Sequence, residues 1–154
     1  MKNKLRNLFV FSAILILLIG CTKQVMDMDE KAMDQKAYER LISKLEEKGF
    51  SVIADDVEES ILQGQRKWLT LNDRENISVY FYETDKEMEE DAAYIHASGL
   101  SYHNKDKSVE ISWSSLPHFY KTDNIIVLYV GESNEMISAL EELIGHQFAG
   151  YVGE

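Results

Sequence analysis

Cysteine is nearly absent. Cys21 stands alone, so no internal disulfide can form, and stability rests on packing even in an oxidising compartment. Basic residues are scarce as well: 16 lysines and arginines face 27 aspartates and glutamates. Such a balance disfavours the phosphate backbone of nucleic acid and keeps the domain off anionic lipid headgroups. Sequence motifs for known chemistries are missing too. No serine lies in a G-x-S-x-G elbow, and there is no H-E-x-x-H, no EF-hand loop, no G-x-G-x-x-G and no Walker sequence. The sequence therefore predicts no catalytic residue, no metal and no cofactor. Its acidity serves solubility more than ligand selection.

What is present begins at the leader. Lys2, Lys4 and Arg6 form a positive stretch, and Leu8 to Ile19 form an apolar run of 12 residues. That is the outline of a secretory signal, and it is well short of the roughly 20 residues of a membrane-spanning helix. The run stops at Leu18-Ile19-Gly20-Cys21, which resembles a bacterial lipobox. The resemblance implies cleavage before Cys21, a diacylglycerol thioether on its sulfur, and anchorage in the outer leaflet of the plasma membrane. Two acyl chains hold a membrane firmly, whereas one holds it weakly. From Cys21 onward, 13 basic and 27 acidic residues remain, a net charge of −14. The expected organisation is a signal peptide over 1–20, a lipidated polar tether over 21–34, one domain over 35–150 and a tail over 151–154.

Within the domain, Tyr38, Leu41, Ile42 and Leu45 share one helical face between Gln35 and Lys48, and Gly49 is placed to cap it. Phe50 to Ile53 reads as a strand and ADDVEES as a loop or short extended segment. Lys67 to Leu71 reads as a strand, NDREN as a turn, and Ile77 to Glu83 as a strong strand. Thr84 and Glu87 have capping-box spacing, ahead of a helix that carries Met88, Ala92 and Ile95 inward. Glu87, Glu89, Glu90 and Asp91 read as its wet side.

The order then comes round again. Gly99 to Tyr102 parallels Gly49 to Val52, Val109 to Trp113 parallels the strand at Trp68, and Ile125 to Val130 parallels Ile77 to Tyr82. Glu135-Met136 follows Glu87-Met88 by 48 positions. Ser133 is placed to cap a last helix burying Met136, Ile137, Leu140 and Ile144. The pattern predicts an α+β fold: a mostly antiparallel sheet, amphipathic helices on one face, and a helix-strand-strand-strand pseudo-repeat. Ile125 to Val130 is apolar on both alternating faces, so it should be a central strand whose second face is also covered.

The most distinctive stretch is Ser112 to Lys121, which holds the sole proline. Trp113, Pro117, His118, Phe119 and Tyr120 are the candidate binding residues, either as a rigid recognition loop or as a turn covering the sheet. Ser112, Ser114 and Ser115 lie near His118, which admits a small envelope hydrolase as an alternative. Four histidines and the acidic run at Asp55, Asp56, Glu58 and Glu59 do not match a metal-ligand spacing. Tyr80 and Tyr82 share a strand face and, near Trp68, form either a second small core or a platform for a protein or glycan.

Several stretches together resemble small lipoproteins of Bacillus and related Gram-positive bacteria: LISKLEEKGFSV, ISVYFYETDKEMEEDAAYI, ISWSSLPHFYKTDNIIVLYVG and ALEELIGHQFAG. The likeness spans about Leu41 to Gly150 plus the lipobox. It implies a single folded unit facing the cell wall and carries over no catalytic role. The expected function is a non-catalytic interaction domain for an envelope protein or small ligand. The alternatives are a passive structural or stress-protective surface protein and the hydrolase above.

Overall fold

The computed structural model describes residues 36–151. The leader, Cys21 and the tether lie outside the described residues. Helix α1 occupies residues 36–47, with Ala37, Leu41 and Leu45 buried on one side. Gly49, at φ +92°, turns the chain out of it, a conformation that L side chains rarely adopt. Strand β1 (Val52–Val57) follows and takes in Ala54–Val57 of the acidic stretch expected as a loop or short extended segment. β2 (Gln65–Leu71) and β3 (Glu75–Phe81) form a hairpin around the turn at Asn72 and Asp73, both at positive φ. Asn72 Oδ1 accepts from Ser51 N at 2.8 Å, tying that turn to the start of β1.

Helix α2 (Asp85–Ala92) is capped by Thr84, whose hydroxyl accepts from Glu87 N. A small hairpin of β4 (Ser101–His103) and β5 (Ser108–Glu110) comes next. β6 (Pro117–Thr122) and β7 (Ile125–Val130) form a tight hairpin, and Ser133 caps α3 (Asn134–Ile144). The two-residue β8 (Ala149–Gly150) closes the edge.

Six strands form one antiparallel sheet in the order β1-β2-β3-β7-β6-β8. β7 is central, as its apolar character on both faces requires. The α+β class, the antiparallel sheet and the helical layer on one face are all present. That layer is α1 and α3, packed with Leu69, Leu71, Ile77, Val79, Phe81, Val127 and Tyr129 into a first core. Burying each such aliphatic side chain is worth about 1.5–3 kcal/mol before entropy is counted. The opposite face carries a second core, where Tyr80, Ile126, Leu128 and Phe119 meet α2, β4 and the segment around Leu62.

The pseudo-repeat is real only at the centre. Val79 pairs with Val127, Ile77 with Tyr129 and Phe81 with Ile125, so residues 48 apart exchange about a local two-fold. Outward from this pair the halves diverge. β4 and β5 form a separate sheet, β6 takes the place beside β7 that β2 takes beside β3, and α2 and α3 belong to opposite cores. The sequence parallel between Trp68 and Trp113 is thus not a structural one. Trp68 is in the main sheet, and Trp113 follows the small hairpin.

Candidate functional site

The second half of the stretch expected as a recognition loop or turn is a strand, while residues 112–116 remain irregular. β6 runs between β7 and β8, with Pro117 at its first position, where a missing N–H is tolerated. Alternation sends Tyr120 into the first core and Phe119 into the second, and Pro117 and His118 are buried with them. Trp113 is half-buried, edge-on to Phe119 at 6.1 Å, and donates from Nε1 to Gly99 O at 2.8 Å. The structure thus joins Trp113 to Phe119 but distributes the five residues between the two cores and gathers them on no common surface. His118 stacks on Tyr129 and has Gln147 Oε1 at 2.8 Å from Nδ1 and Gly131 O at 3.2 Å from Nε2. Its ring nitrogens face carbonyl oxygens, not a serine or a carboxylate, which removes the geometry a Ser-His nucleophile needs.

One histidine does meet a serine and a carboxylate. On the β4–β5 hairpin, His103 Nδ1 lies 2.7 Å from Ser108 Oγ, and Nε2 lies 3.3 Å from Glu110 Oε1. These are direct or diagonal cross-strand neighbours. Their side chains are 48% and 79% exposed at His103 and Glu110, so they lack the water-excluded setting that gives such a constellation its power. Among the described residues, no group of three or more His, Cys, Asp or Glu side chains is placed to hold a metal.

Asp91 corrects a sequence expectation. It was assigned to the wet side of α2, yet it is 2% exposed. Its carboxylate accepts from Tyr82 Oη at 2.6 Å, Tyr102 Oη at 2.5 Å, Gln63 N at 2.8 Å and Gln63 Nε2 at 3.2 Å. Four donors compensate the cost of burying the charge. Burial and the adjacent carboxylate push the Tyr102 hydroxyl up to about 12 and raise that of Tyr82 as well. The signal was legible: Asp91 stands three residues after Met88 and one before Ala92, on the apolar side of the helix. This knot fastens α2, β4 and the 58–64 segment to the sheet. Beside it, Tyr80, Tyr102, Trp113 and Phe119 line an apolar seam too tightly packed to hold a water molecule.

The tyrosines considered for a platform are core residues, since Tyr80 and Tyr82 are both buried. Their neighbour Trp68 is different, for it belongs to neither core. Among the described residues, the second layer covers β7, β6 and the end of β3 and leaves the same sheet face bare over β1 and β2. Directly paired residues share a face, so Ile53, Asp55 and Val57 of β1 line up with Thr70, Trp68 and Arg66 of β2. Asn76 and Ser78 of β3 complete the surface. Ile53 is 53% exposed, and Trp68, Thr70 and Asn76 are half-buried.

The polar groups here are held in fixed positions. Trp68 Nε1 donates to Asn76 Oδ1 at 3.0 Å, and Thr70 Oγ1 donates to the same oxygen at 2.9 Å. An indole N–H only donates, so the Asn76 amide is oriented with its oxygen inward and its NH₂ outward. Arg66 sits 5.2 Å over the Trp68 ring and donates to Ser78 Oγ from Nε at 3.1 Å and from Nη2 at 3.0 Å. Its Nη1 donates to Glu59 O at 3.0 Å. Sequence reasoning placed Trp68 on a strand but not on the bare side of one, because coverage depends on elements distant in the chain.

Fold and face together define a small antiparallel α+β domain with one sheet face half uncovered. Comparison of the chain with protein-family models, with curated protein sequences and with solved structures finds no match. No helix among the described residues is long and apolar enough to cross a membrane.

Proposed function

We propose that this chain is an extracytoplasmic lipoprotein, anchored through Cys21 to the outer leaflet of the plasma membrane, whose domain binds a component of the envelope without catalysis. The anchor rests on the leader: a positive start, 12 apolar residues, then Gly20-Cys21. The single observation that carries the binding role is Trp68. A large aromatic side chain outside both cores, on a sheet face uncovered among the described residues and braced by Arg66 and Asn76, is the composition of a recognition surface. The expected recognition residues thereby move from Trp113, Pro117, His118, Phe119 and Tyr120 to the face around Trp68. The burial of four of those five residues leaves little of them for a partner to touch.

The test uses the full chain in its native envelope, with a photo-crosslinking residue at exposed position 53. The expected result is a discrete adduct that falls about tenfold in a folded Trp68→Ala variant, the loss of a single anchor residue's binding energy. Equal crosslinking in that variant, or none from position 53, would remove the binding role. Lipid labelling of the same preparations tests the anchor, since label that persists in Cys21→Ala would refute it.

A further inference from the structure

We propose that His118 is a proton-operated latch on the C-terminal edge of the sheet, a device independent of the Trp68 face. The residue is 3% exposed. Nδ1 meets Gln147 Oε1 at 2.8 Å, and Nε2 meets Gly131 O at 3.2 Å. The Gln147 amide has its orientation fixed from the other side, because its Nε2 donates to Tyr151 O, a backbone carbonyl that only accepts. A chain of three contacts thus runs from Gly131 O through His118 and Gln147 to Tyr151 O, with an acceptor at each end. Gln147 supplies the hydrogen of one contact, and the ring must supply the other two. A neutral imidazole has a single N–H, whereas the imidazolium has two. Only protonated His118 satisfies every contact. The ring also stacks on Tyr129 at 5.9 Å with 22° between the planes, close enough for that aromatic face to attract a cation.

The titratable groups against the ring are Tyr129 of β7 and Tyr151 of the C-terminal segment, the latter edge-on at 6.5 Å. The Tyr129 hydroxyl donates to Glu75 of β3 at 2.8 Å and accepts from Ser133 N. The nearby carboxylates are engaged elsewhere: Glu132, between β7 and α3, accepts from Ser115 Oγ, and Glu141 of α3 acts on the Tyr120 hydroxyl. His146, next to Gln147 in the chain, is exposed. Among the described residues no carboxylate pairs with His118, so the two carbonyls and the Tyr129 face are what hold its charge.

Loss of the proton has a defined consequence. Nε2–H can keep Gly131 O, which leaves Nδ1 as one acceptor facing another. Rotating the Gln147 amide mends that contact and turns its oxygen toward Tyr151 O, so the missing bond passes to the C-terminal segment. That segment is lightly held. β8 pairs with β6 only at His118–Gly150 and Phe119–Ala149, and Phe148 N, Gly150 N and Tyr151 N donate to Phe119 O, Ala97 O and Pro117 O. The closed edge binds the proton better than the open one. Closure therefore strengthens as pH falls and weakens as pH rises through the imidazole range.

The experiment uses the full chain, isotope-labelled and held in detergent micelles, at about pH 5.5 and about pH 8, either side of the usual imidazole range. Long-range proton–nitrogen NMR spectra read the histidine rings, and native-state hydrogen exchange reads the Phe148, Gly150 and Tyr151 amides against those of β7. At the lower pH both nitrogens of His118 should carry protons, and at the higher pH Nε2 alone. After correction for intrinsic exchange, protection of the three amides should fall about tenfold from the lower pH to the higher, the loss of one hydrogen bond. Gln147→Ala, at a half-buried position, removes the relay and leaves the ring in place, so protection of the three amides should lose its pH dependence. A single ring proton at the lower pH, a proton on Nδ1 instead of Nε2 at the higher, or protection that ignores pH would overturn the latch. A pH dependence that survives in Gln147→Ala would overturn it as well.

Discussion

The two faces of the central sheet are built on different principles. The first is covered by α1 and α3 except at the β1 edge, where Ala54 and Asp56 stay exposed, and its core is almost wholly aliphatic and aromatic. The second is covered over half its width by a short helix, a small hairpin and a loop, fastened by a buried carboxylate with four donors. Among the described residues, the remaining half is bare. Hydrophobic burial is non-directional and tolerates any well-filled arrangement, so long helices suit the first face. A thin layer of loops buries too little apolar area for that. It needs directional bonds to hold one geometry, and Asp91 provides them. The lesson is that stability and recognition are assigned to different faces, and the transition between them lies within single strands such as β3.

The contrast can be broken in three ways. The largest effect is expected in the first core. Leu140 is fully buried on α3, and Leu140→Ala should cost about 3 kcal/mol, read from the urea midpoint. A cost below about 1 kcal/mol would mean that this face collapses around the cavity and is not the rigid one.

Alkaline pH probes the second layer next. The Tyr102 hydroxyl has its folded value raised from 10 to about 12, by burial first and by the Asp91 bond second. The raised value means that the folded state keeps the neutral phenol after the unfolded chain has ionised. The contribution is fully present below pH 10 and is lost as pH rises through about 12. The two-unit gap corresponds to about 2–3 kcal/mol. Tyr102→Phe should reduce this part of the pH–stability slope, leaving the shares of Tyr120, which burial in the first core also raises to about 12, and of Tyr80, Tyr82 and Tyr129, which burial raises too. An unchanged slope in Tyr102→Phe would show that the Asp91 knot does not secure the layer.

The smallest effect belongs to the bare half. Trp68→Ala should cost about 1 kcal/mol or less, because what it loses is the Arg66 contact and one hydrogen bond at the surface. A loss of 3 kcal/mol or more in the same urea titration would place Trp68 among the core residues, and the proposed division of labour would fail.

Much of the fold was legible in the residues. The caps at Thr84 and Ser133 and the helical exit at Gly49 stand where local chemistry puts them. The β2–β3 turn and the central position of β7 were equally readable. The candidate site was not. Ser112 to Lys121 carries aromatic, hydroxyl and proline signals that suit a turn and a strand alike, and only pairing to β7 and β8 makes part of it β6. Asp91 was hidden among acidic neighbours, although its place beside Met88 and Ala92 marked the buried side.

The sequence by itself determined what is local: the helix ends, the strand periods, and the two-sided apolar character of Ile125 to Val130. Tertiary structure alone decided which sheet surface is covered and which is bare. Coverage is a relation between residues far apart, as when Gln63, Tyr82 and Tyr102 converge on Asp91, and no local propensity encodes it. Trp68 could equally have been core by its residue type. It is surface because, among the described residues, the chain that covers this face ends its reach one strand away.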